Sequence, residues 1–233
     1  TIYMKLSIII PTLNEEDNIG GLLKYLLENA PHENVEIIIV DGGSKDRTQQ
    51  IVASYPVKFI EAPKTSRASQ MNYGASLCSG NYIYYVHADV FPPSSFYSDF
   101  LKLASEGILM AMYRQKFNSS NPIFLINSYF TRFNRLWCRG GDQTIFICKK
   151  FFDSLNGFDE HWIIMEEYDL IQRAMLLTTL QILPNYVLVS ARKYKTNSWI
   201  RVMLANRKAY QLFLKKVSPL KIKETYQRML NSY

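Results

Sequence analysis

Short, almost continuously apolar segments alternate with helical patterns in the first part of the chain. The clearest are KLSIII at 5–10, VEIIIV at 35–40 and YIYYV at 82–86, and a shorter segment lies at 57–60. Strands that are apolar on both faces are buried on both faces, as in a parallel sheet covered by helices. The alternation of such strands with helices predicts a Rossmann-like α/β domain with a mostly parallel central sheet.

The helices between these strands are predicted from their first residues. Asn14 is expected to cap a first helix, whose leucines form one apolar face, and Ser44 a second helix. A third helix is expected over residues 66–77, since Gly80 follows as a break. Each of these helices would cover one face of the sheet.

The second half of the chain has a less regular pattern. The predicted elements there are strands at 108–114, 143–148 and 186–189, a helix at 166–177, a basic amphipathic helix at 199–216 and a short helix after Pro219. A length of 233 residues accommodates one large α/β domain with a C-terminal helical extension.

Positive charge is concentrated at the C-terminal end. From Ala191 onward there are eleven Lys and Arg and one acid, Glu224, so the net charge of this segment is +10. The net charge of the whole chain is +7, so the residues before Ala191 together carry −3. Three interpretations are open: a solvated helix face, a contact with an anionic membrane surface, or a contact with another subunit in a homodimer. Nucleic acid is not an expected partner, because no recognition motif accompanies the basic residues.

Cysteine usage and hydropathy bear on the compartment. Three cysteines without short spacing, Cys78, Cys138 and Cys148, argue against a disulfide framework or a zinc cluster. No apolar run approaches the ~18 residues of a membrane span, and no signal peptide is visible. We therefore expect a cytoplasmic protein, with the inner face of the cytoplasmic membrane as a further location if the basic tail binds lipid.

Polar residues follow three of the predicted strands directly. They are Pro11–Glu16 after the first, Asp41–Asp46 after the second and His87–Asp89 after the fourth. Ligands of open α/β sheets bind beyond the carboxyl ends of the strands, so these residues are expected at one rim. Their chemistry suits a nucleotide sugar, because carboxylates accept from base and ribose groups and a helix N-terminus binds phosphate. Arg67 is a further candidate for phosphate binding.

Five motifs in order resemble family 2 glycosyltransferases. They are SIIIPTLNEE, VDGGSKDRT, HAD, GGDQTIFICKKFFDSLNGFDE and MEEYDL. The wording of SRASQMNYGA, HAD, GGDQ, MEEYDL and SARKY is most similar to a bacterial subgroup called transferase 2, radical-SAM/selenodomain-associated. The resemblance implies a GT-A fold over residues 4–195, with a nucleotide half at 4–90 and an acceptor half at 91–195. Residues 196–233 would then form a basic amphipathic extension.

The resemblance also implies roles for the residues at the predicted rim. Asp41 would hold the base, His87 would lie near the ribose, and Asp89 would be the metal-binding end of the family's DXD motif, with Mn²⁺ or Mg²⁺ as cofactor. Pro11, Leu13 and Glu15 would line the base and ribose pocket. Residue chemistry adds four candidates for nucleotide-sugar binding, which are Gly42, Ser44, Arg67 and Arg192, with Lys193 as an alternative to Arg192 at the diphosphate. One carboxylate stands where the family has two, so metal affinity would depend on the oxygens of the donor.

The acceptor half supplies the implied catalytic base. The family's base lies in an acidic pair at a helix start, here Glu166 and Glu167, and alignment favours Glu167 with Glu166 as rival. The two glutamates would also complement the helix dipole without any catalytic role. The residues Gly141, Asp142 and Gln143 are candidates for the acceptor wall, with a tight turn into a strand as the alternative. A base opposite the leaving diphosphate would give an inverting transfer to an unknown acceptor, which could be lipid-linked.

Two other functions are compatible with a nucleotide-binding α/β half. A sugar-phosphate nucleotidyltransferase would carry a Gly-rich basic loop after the first strand, whereas PTLNEE is acidic and the first glycine is Gly20. A non-catalytic nucleotide-sugar binding protein would keep Asp41 and Asp89 but would need no base at Glu167.

Overall fold

One sheet lies at the centre of the molecule. The computed structural model describes residues 4–31, 33–140 and 143–231. The strands in these ranges are β1 (Leu6–Thr12), β2 (Val35–Asp41), β3 (Lys58–Glu61), β4 (Tyr82–Tyr85), β5 (Val90–Phe91), β6 (Met110–Phe117), β7 (Ile145–Cys148) and β8 (Gln181–Val189). They are hydrogen-bonded in the order β3-β2-β1-β4-β7-β6-β8-β5.

The predicted mostly parallel α/β sheet is confirmed. Strands β3, β2, β1 and β4 are parallel to one another, and β6 is parallel to β8. Strand β7 lies antiparallel between β4 and β6, and the short β5 pairs antiparallel with β8. The parallel half has its carboxyl ends at one edge, which places the loops after β1, β2 and β4 side by side.

Helices cover both faces of the sheet. They are α1 (Ile19–Asn29), α2 (Thr48–Val52), α3 (Arg67–Leu77), α4 (Phe96–Ser105), α5 (Phe124–Phe130), α6 (Lys149–Ser154), α7 (Glu166–Met175), α8 (Lys193–Thr196), α9 (Trp199–Leu214) and α10 (Pro219–Met229). In β1, Ile8 and Ile10 pack in the core under α1 and α4, whereas Ile9 faces α3 and α7. The apolar run in β1 is therefore explained by burial on both faces.

Close packing of α3 on the sheet depends on one glycine. A Cβ at Gly74 would lie 2.7 Å from Ile9 Cγ2 and 2.9 Å from Val40 Cγ2. A side chain there would force the helix away from β1 and β2. The first turn of α3, which begins at Arg67, is thereby held against the strand ends. Ser66 caps this helix, because its side chain accepts from the Ser69 N–H.

Two predicted helix starts are wrong. Helix α1 begins at Ile19 and α2 at Thr48, several residues beyond Asn14 and Ser44. The two expected caps bind each other's loops instead: Asn14 N–H donates to Ser44 Oγ at 2.8 Å, and Lys45 N–H donates to Asn14 Oδ1 at 2.8 Å. A contact between residues about thirty positions apart, with Asn14 in the left-handed region at φ 54°, replaces the local caps.

The last two helices form a layer of their own. Side chains of α9 and α10, including Val202, Phe213 and Ile222, pack together and against Met165 at the start of α7. The basic C-terminal segment is therefore folded onto the domain at the N-terminus of α7. In the described ranges, no helix combines the length and the hydropathy needed to cross a membrane.

Candidate active site

A cleft of about 720 Å³ opens at the carboxyl ends of the parallel strands. Its floor comes from the loops after β1 and β4, and its far wall comes from α8, α9 and α10. The predicted residues that the structure brings together on its walls are Pro11, Leu13, Glu15, Arg67, His87, Asp89 and Arg192. Residues from loops almost 180 positions apart in sequence thus share one cavity.

A second cavity of about 290 Å³ adjoins the cleft and contains the acidic pair. Glu166 and Glu167 line it together with Gly140 from the segment before β7. The two cavities share wall residues, which are Arg67, Ile163, Lys193, Asn206 and Lys223. The acidic pair therefore lies in a cavity that shares part of its wall with the cleft of the strand-end residues.

The loop after β2 lies behind the cleft wall. Asp41 is buried, and its carboxylate accepts from Thr12 Oγ1 at 2.9 Å, Gly43 N at 2.9 Å, Ser44 N at 2.7 Å and Ser44 Oγ at 2.5 Å. Because both oxygens are occupied, Asp41 holds the turn in shape and does not line the cleft. The predicted direct contact between Asp41 and a base would require exchange of these hydrogen bonds, and it stays a prediction.

Gln70 connects this loop to the cleft and was not predicted. Its Nε2 donates to the carbonyls of Thr12 at 2.8 Å and Val40 at 2.7 Å. A Cβ at Gly42 would lie 3.2 Å from Gln70 Nε2, so the glycine lets this amide reach the strand ends. A polar residue inside a helical pattern normally indicates a solvated face, and this explains why the sequence gives no signal for Gln70.

A guanidinium bridges the two acids on the cleft floor. Arg192 donates to both oxygens of Glu15, at 2.9 and 3.1 Å, and its Nε lies 3.2 Å from Asp89 Oδ2. A planar fork of this kind binds carboxylates and phosphates in the same bidentate manner. Arg192 therefore places positive charge between Glu15, expected to contact the donor nucleotide, and Asp89, expected to bind the metal.

The acidic pair forms a compact charged cluster at the N-terminus of α7. Glu166 and Glu167 are both buried, and the preceding Met165 has a left-handed backbone at φ 70°. Arg67 Nη1 lies 3.4 Å from Glu166 Oε1 and 3.6 Å from Glu167 Oε1. His87 Nε2 lies 3.3 Å from Glu167 Oε1. His87, expected beside the ribose, thus also contacts the candidate base.

The two carboxyl groups have opposite pKa shifts. Burial, followed by the charge of Glu167, raises the pKa of Glu166 to about 7. Burial also acts to raise the pKa of Glu167, but the contacts with His87 and Arg67 outweigh it and hold that pKa below its usual range. At neutral pH, Glu167 is the ionised member of the pair and Glu166 retains much of its proton.

This assignment predicts how stability varies with pH. Because the folded-state pKa of Glu166 is raised, its contribution to stability is present at pH 4.5 and is lost as pH rises through about 7. Glu166→Gln lacks this loss, so its stability relative to the wild type should improve by about 2 kcal/mol between pH 5 and pH 8. Denaturant unfolding at the two pH values measures the difference.

A matched control for that measurement is Glu224→Gln. Glu224 is an exposed acid of α10, outside the buried pair. The stability of the Glu224→Gln variant relative to the wild type should be the same at both pH values. A Glu166→Gln difference that is equally flat would contradict the raised pKa of Glu166.

Part of the predicted acceptor wall can be placed. Gln143 is buried and does not line either cavity. Gly141 and Asp142 lie outside the described residues. Gly140, the residue before them in sequence, lines the cavity of the acidic pair.

The C-terminal helices contribute further cleft residues, of which Asn206 and Lys223 were not predicted. Lys193 of α8, Asn206 of α9 and Lys223 of α10 line both cavities. From sequence, the basic segment predicts an external docking surface, since charge composition does not say which cations face inward. Part of its charge instead faces the cleft, where it suits a diphosphate.

The metal prediction can be compared with the available side chains. Within residues 4–31, 33–140 and 143–231, no three His, Cys, Asp or Glu side chains are grouped closely enough to hold a metal ion. Asp89 is the carboxylate on the cleft wall expected to bind one. Divalent cations at phosphate-binding sites often take one or two carboxylates, with substrate oxygens and water completing the shell. Asp89 fits this pattern only with a bound diphosphate.

The fold and the cleft place the molecule in the GT-A class of glycosyltransferase folds. The mannosyltransferase PcManGT from Pyrobaculum calidifontis, solved with GDP-Man and Mn²⁺, superposes with a TM-score of 0.69 and 18% identity over 98% of this chain and 70% of that chain. TarS 1-349 from S. aureus, solved with UDP-GlcNAc, gives 0.67 and 17% over 97% and 71%. Identities this low establish similarity of fold.

Sequence comparison establishes the family. Residues 7–157 match the family model described as "Glycosyl transferase family 2". This chain belongs to glycosyl transferase family 2, which confirms the family resemblance of the motifs. The narrower resemblance to the radical-SAM/selenodomain-associated subgroup stays a prediction.

Individual relatives match less than half of the chain. A dolichol-phosphate mannosyltransferase of Pyrococcus furiosus is 36% identical over 95 residues, which is 39% of this chain and 27% of that enzyme. A poly(ribitol-phosphate) beta-glucosyltransferase of Bacillus spizizenii is 33% identical over 94 residues, 37% of this chain and 15% of that enzyme. The chain thus spans less than a third of the length of these relatives.

Proposed function

We propose that the chain is an inverting glycosyltransferase that moves a sugar from a nucleotide diphosphate sugar, with UDP-sugars favoured, to a hydroxyl group. The observation that supports this most is the position of Glu167. It is a buried, ionised carboxylate whose cavity shares Arg67, Lys193 and Lys223 with the wider cleft. A base at one end of a cationic cleft is suited to in-line attack on a sugar diphosphate.

The proposed reaction is a single displacement. The acceptor oxygen forms a bond to the anomeric carbon while the bond from that carbon to the diphosphate oxygen breaks. The acceptor's proton passes to Glu167, and the electron pair of the broken bond leaves with the diphosphate. Glu166, whose raised pKa of about 7 leaves much of it protonated at neutral pH, is less suited to accept a proton. One displacement inverts the configuration at the anomeric carbon.

Donor binding is assigned to the cleft floor and the opposite wall. Pro11, Leu13 and Glu15 would contact the base and ribose, partly through backbone groups. Arg192 and Lys193 would contact the diphosphate, and Arg192 can exchange its carboxylate partners for phosphate oxygens of the same geometry. This exchange is supported by the exposed position of the Arg192 side chain.

Mn²⁺ or Mg²⁺ is proposed as the cofactor, held by Asp89 together with oxygens of the donor. When bound, such an ion neutralises the charge that develops on the leaving diphosphate. The Asp89 side chain lines the cleft, where its carboxylate pairs with Arg192 Nε. Metal binding without donor should therefore be weak.

The acceptor follows less directly from the family. The names of the two relatives given above refer to a dolichol phosphate and to a poly(ribitol phosphate), so related chains use different acceptors. A hydroxyl acceptor that enters beside Glu167 and the segment of Gly140 fits the smaller cavity. A lipid-linked acceptor, membrane contact through the C-terminal helices and homodimer formation remain proposals.

The competing functions make different demands on the site. A sugar-phosphate nucleotidyltransferase is disfavoured by membership of family 2 and by the acidic loop after β1. A non-catalytic nucleotide-sugar binding protein has no need of Glu167 in its ionised form. The position of Glu167 in a cavity that shares wall residues with the cleft therefore favours the enzyme.

A thermal-shift screen tests the donor class. UDP-, GDP- and dTDP-sugars are added with Mn²⁺, and one nucleotide class should raise the midpoint by roughly 5–10 °C at about 100 times its dissociation constant. NMR of the released or transferred sugar should then show inversion of the anomeric centre. Absence of stabilisation by every donor, or retention of configuration, would overturn the proposed function.

A further inference from the structure

An exposed apolar cluster lies on α5 and the turn that follows it. Six large side chains between positions 125 and 137 are 40% to 60% exposed. They are Leu125, Ile126, Tyr129, Phe130, Phe133 and Trp137, and they are called the α5 patch below. Soluble domains rarely expose so many large apolar groups together unless the surface binds something.

The aromatic members of the α5 patch are held by one another. The Phe130 ring lies 5.7 Å from Tyr129, 6.3 Å from Phe133 and 5.5 Å from Trp137, measured between ring centroids. Tyr129 also lies 5.7 Å from Phe133. The cluster is therefore a preformed surface, and little side-chain entropy is lost when it is covered.

Folding of α5 does not depend on this outer face. The inner side of the helix is buried through Phe124, whose ring lies 4.7 Å from both Phe117 and Tyr194. A helix anchored on one side would ordinarily carry polar residues on the other. The outer apolar residues therefore have a role outside the core.

The charge around the α5 patch has one sign. Residues 107–140 contain five Lys and Arg and no Asp or Glu. Arg132 and Arg135 are exposed within the patch, and the Arg132 guanidinium stacks over the Tyr129 ring at 4.2 Å. Exposed aromatic groups interleaved with cations are typical of surfaces that insert at the headgroup level of anionic bilayers.

Helix α9 extends this surface. Trp199 Nε1 donates to Asn127 Oδ1 at 3.2 Å, which places α9 beside α5. Ile200 and Leu204 of α9 are 62% and 52% exposed. They are accompanied by exposed cations of the same helix, which are Arg201, Arg207 and Lys208. The two helices together form the α5–α9 surface.

We propose that the α5–α9 surface binds an anionic phospholipid bilayer. The apolar side chains would enter the headgroup region, and the cations would contact lipid phosphates. A second copy of the chain fits less well, because two such surfaces would bring only positive charge together. Membrane contact is thereby assigned mainly to α5, whereas the sequence pattern indicates the C-terminal helices.

The surface lies directly behind the proposed active site. Phe117 and Tyr194, on which Phe124 packs, line the cleft on their other side. The carbonyl of Arg139, just beyond the α5 patch, accepts from the Tyr168 hydroxyl beside the acidic pair. If the proposed transferase function holds, a bilayer here would present acceptors of one class, hydroxyl groups on membrane-embedded lipids.

Vesicle co-sedimentation tests the membrane surface without donor or acceptor. The protein is mixed with phosphatidylcholine vesicles, either pure or with an equal part of phosphatidylglycerol. The wild type should bind the anionic vesicles at least tenfold more tightly than the neutral ones. The triple variant Leu125→Ser/Phe130→Ser/Trp137→Ser should lose at least tenfold in affinity, because exposed apolar groups that enter the bilayer are removed.

Matched controls separate surface loss from unfolding. Leu77→Ser/Leu101→Ser removes two exposed leucines of α3 and α4 and should bind vesicles as the wild type does. All variants should keep the wild-type thermal midpoint. Equal binding by the triple variant, or no preference for anionic vesicles, would overturn the proposal. A dimer in light scattering that the triple variant dissociates, without vesicle binding, would assign the surface to self-association and also overturn it.

The two proposals can fail separately. The thermal shift by donor in the triple variant should equal that of the wild type, because the α5 patch does not line the cleft. Vesicle binding without any donor effect would leave the surface in place and remove the transferase function. A donor effect without vesicle binding would do the reverse.

Discussion

Replacing Glu167 with glutamine should slow sugar transfer by about 10²–10⁴-fold while donor affinity stays nearly unchanged. The variant keeps the size of the side chain but loses the charge that accepts the acceptor's proton. Because Glu167 lines the smaller cavity and not the main cleft, donor contacts are preserved. The loss should therefore be in kcat, with KM for the donor little affected.

The measurement follows release of nucleoside diphosphate from the donor selected by thermal shift. Glu166→Gln is the matched control, since it changes a neighbouring carboxyl group that retains much of its proton at neutral pH. Its transfer rate should fall much less. Normal turnover by Glu167→Gln, or a larger loss in Glu166→Gln, would transfer the role of base away from Glu167.

Interaction between the two carboxyl groups adds a test in pH. The pair titrates as a unit, so removal of one charge changes the pKa of the other. In Glu166→Gln the proton-holding partner is gone, but the contacts of Glu167 with Arg67 and His87 remain. Because these contacts keep the pKa of Glu167 below the usual range, Glu167 should stay ionised at pH values where an ordinary glutamate is protonated, and activity should persist toward lower pH.

The parallel half of the fold could be predicted because its signal is local. Apolar runs such as that of β1 are long enough to identify strands, and the polar residues after them indicate the rim. The helix starts failed where a distant contact replaced a local one, as when Asn14 and Ser44 bound each other's loops. Capping propensity cannot register such a competitor.

The site was predictable by residue type more than by contact. Alignment of motifs identifies Asp89 and Glu167, but the bridge from Arg192 to Glu15 joins positions 177 apart in sequence. Lys223 faces the cleft only because α10 folds back on α9. Helix α5 was missed because apolar residues on both its inner and outer faces remove the helical periodicity.

Replacing Asp89 with asparagine should remove the effect of Mn²⁺ on donor binding. In the wild type, Mn²⁺ should tighten UDP binding, because Asp89 and the diphosphate together complete a site that neither forms alone. Asparagine keeps the size of the side chain but lacks the negative charge that attracts a divalent cation, so the enhancement should disappear in the variant. Calorimetry measures the affinity of the wild type and of the variant for UDP, with and without Mn²⁺.

The variant also breaks the pair between Asp89 and Arg192, and this second effect needs its own control. Glu15→Gln weakens the bidentate contact of Arg192 and leaves the Asp89 carboxylate in place. The UDP affinity of Glu15→Gln is measured with and without Mn²⁺ in the same way, and Mn²⁺ should still tighten UDP binding. If Asp89→Asn retains the enhancement, the metal is held elsewhere. If Mn²⁺ does not tighten UDP binding by the wild type either, the positive charge at the diphosphate comes from the guanidinium of Arg192 and its lysine neighbours. The HAD motif would then need only one carboxylate, because it has no metal to bind.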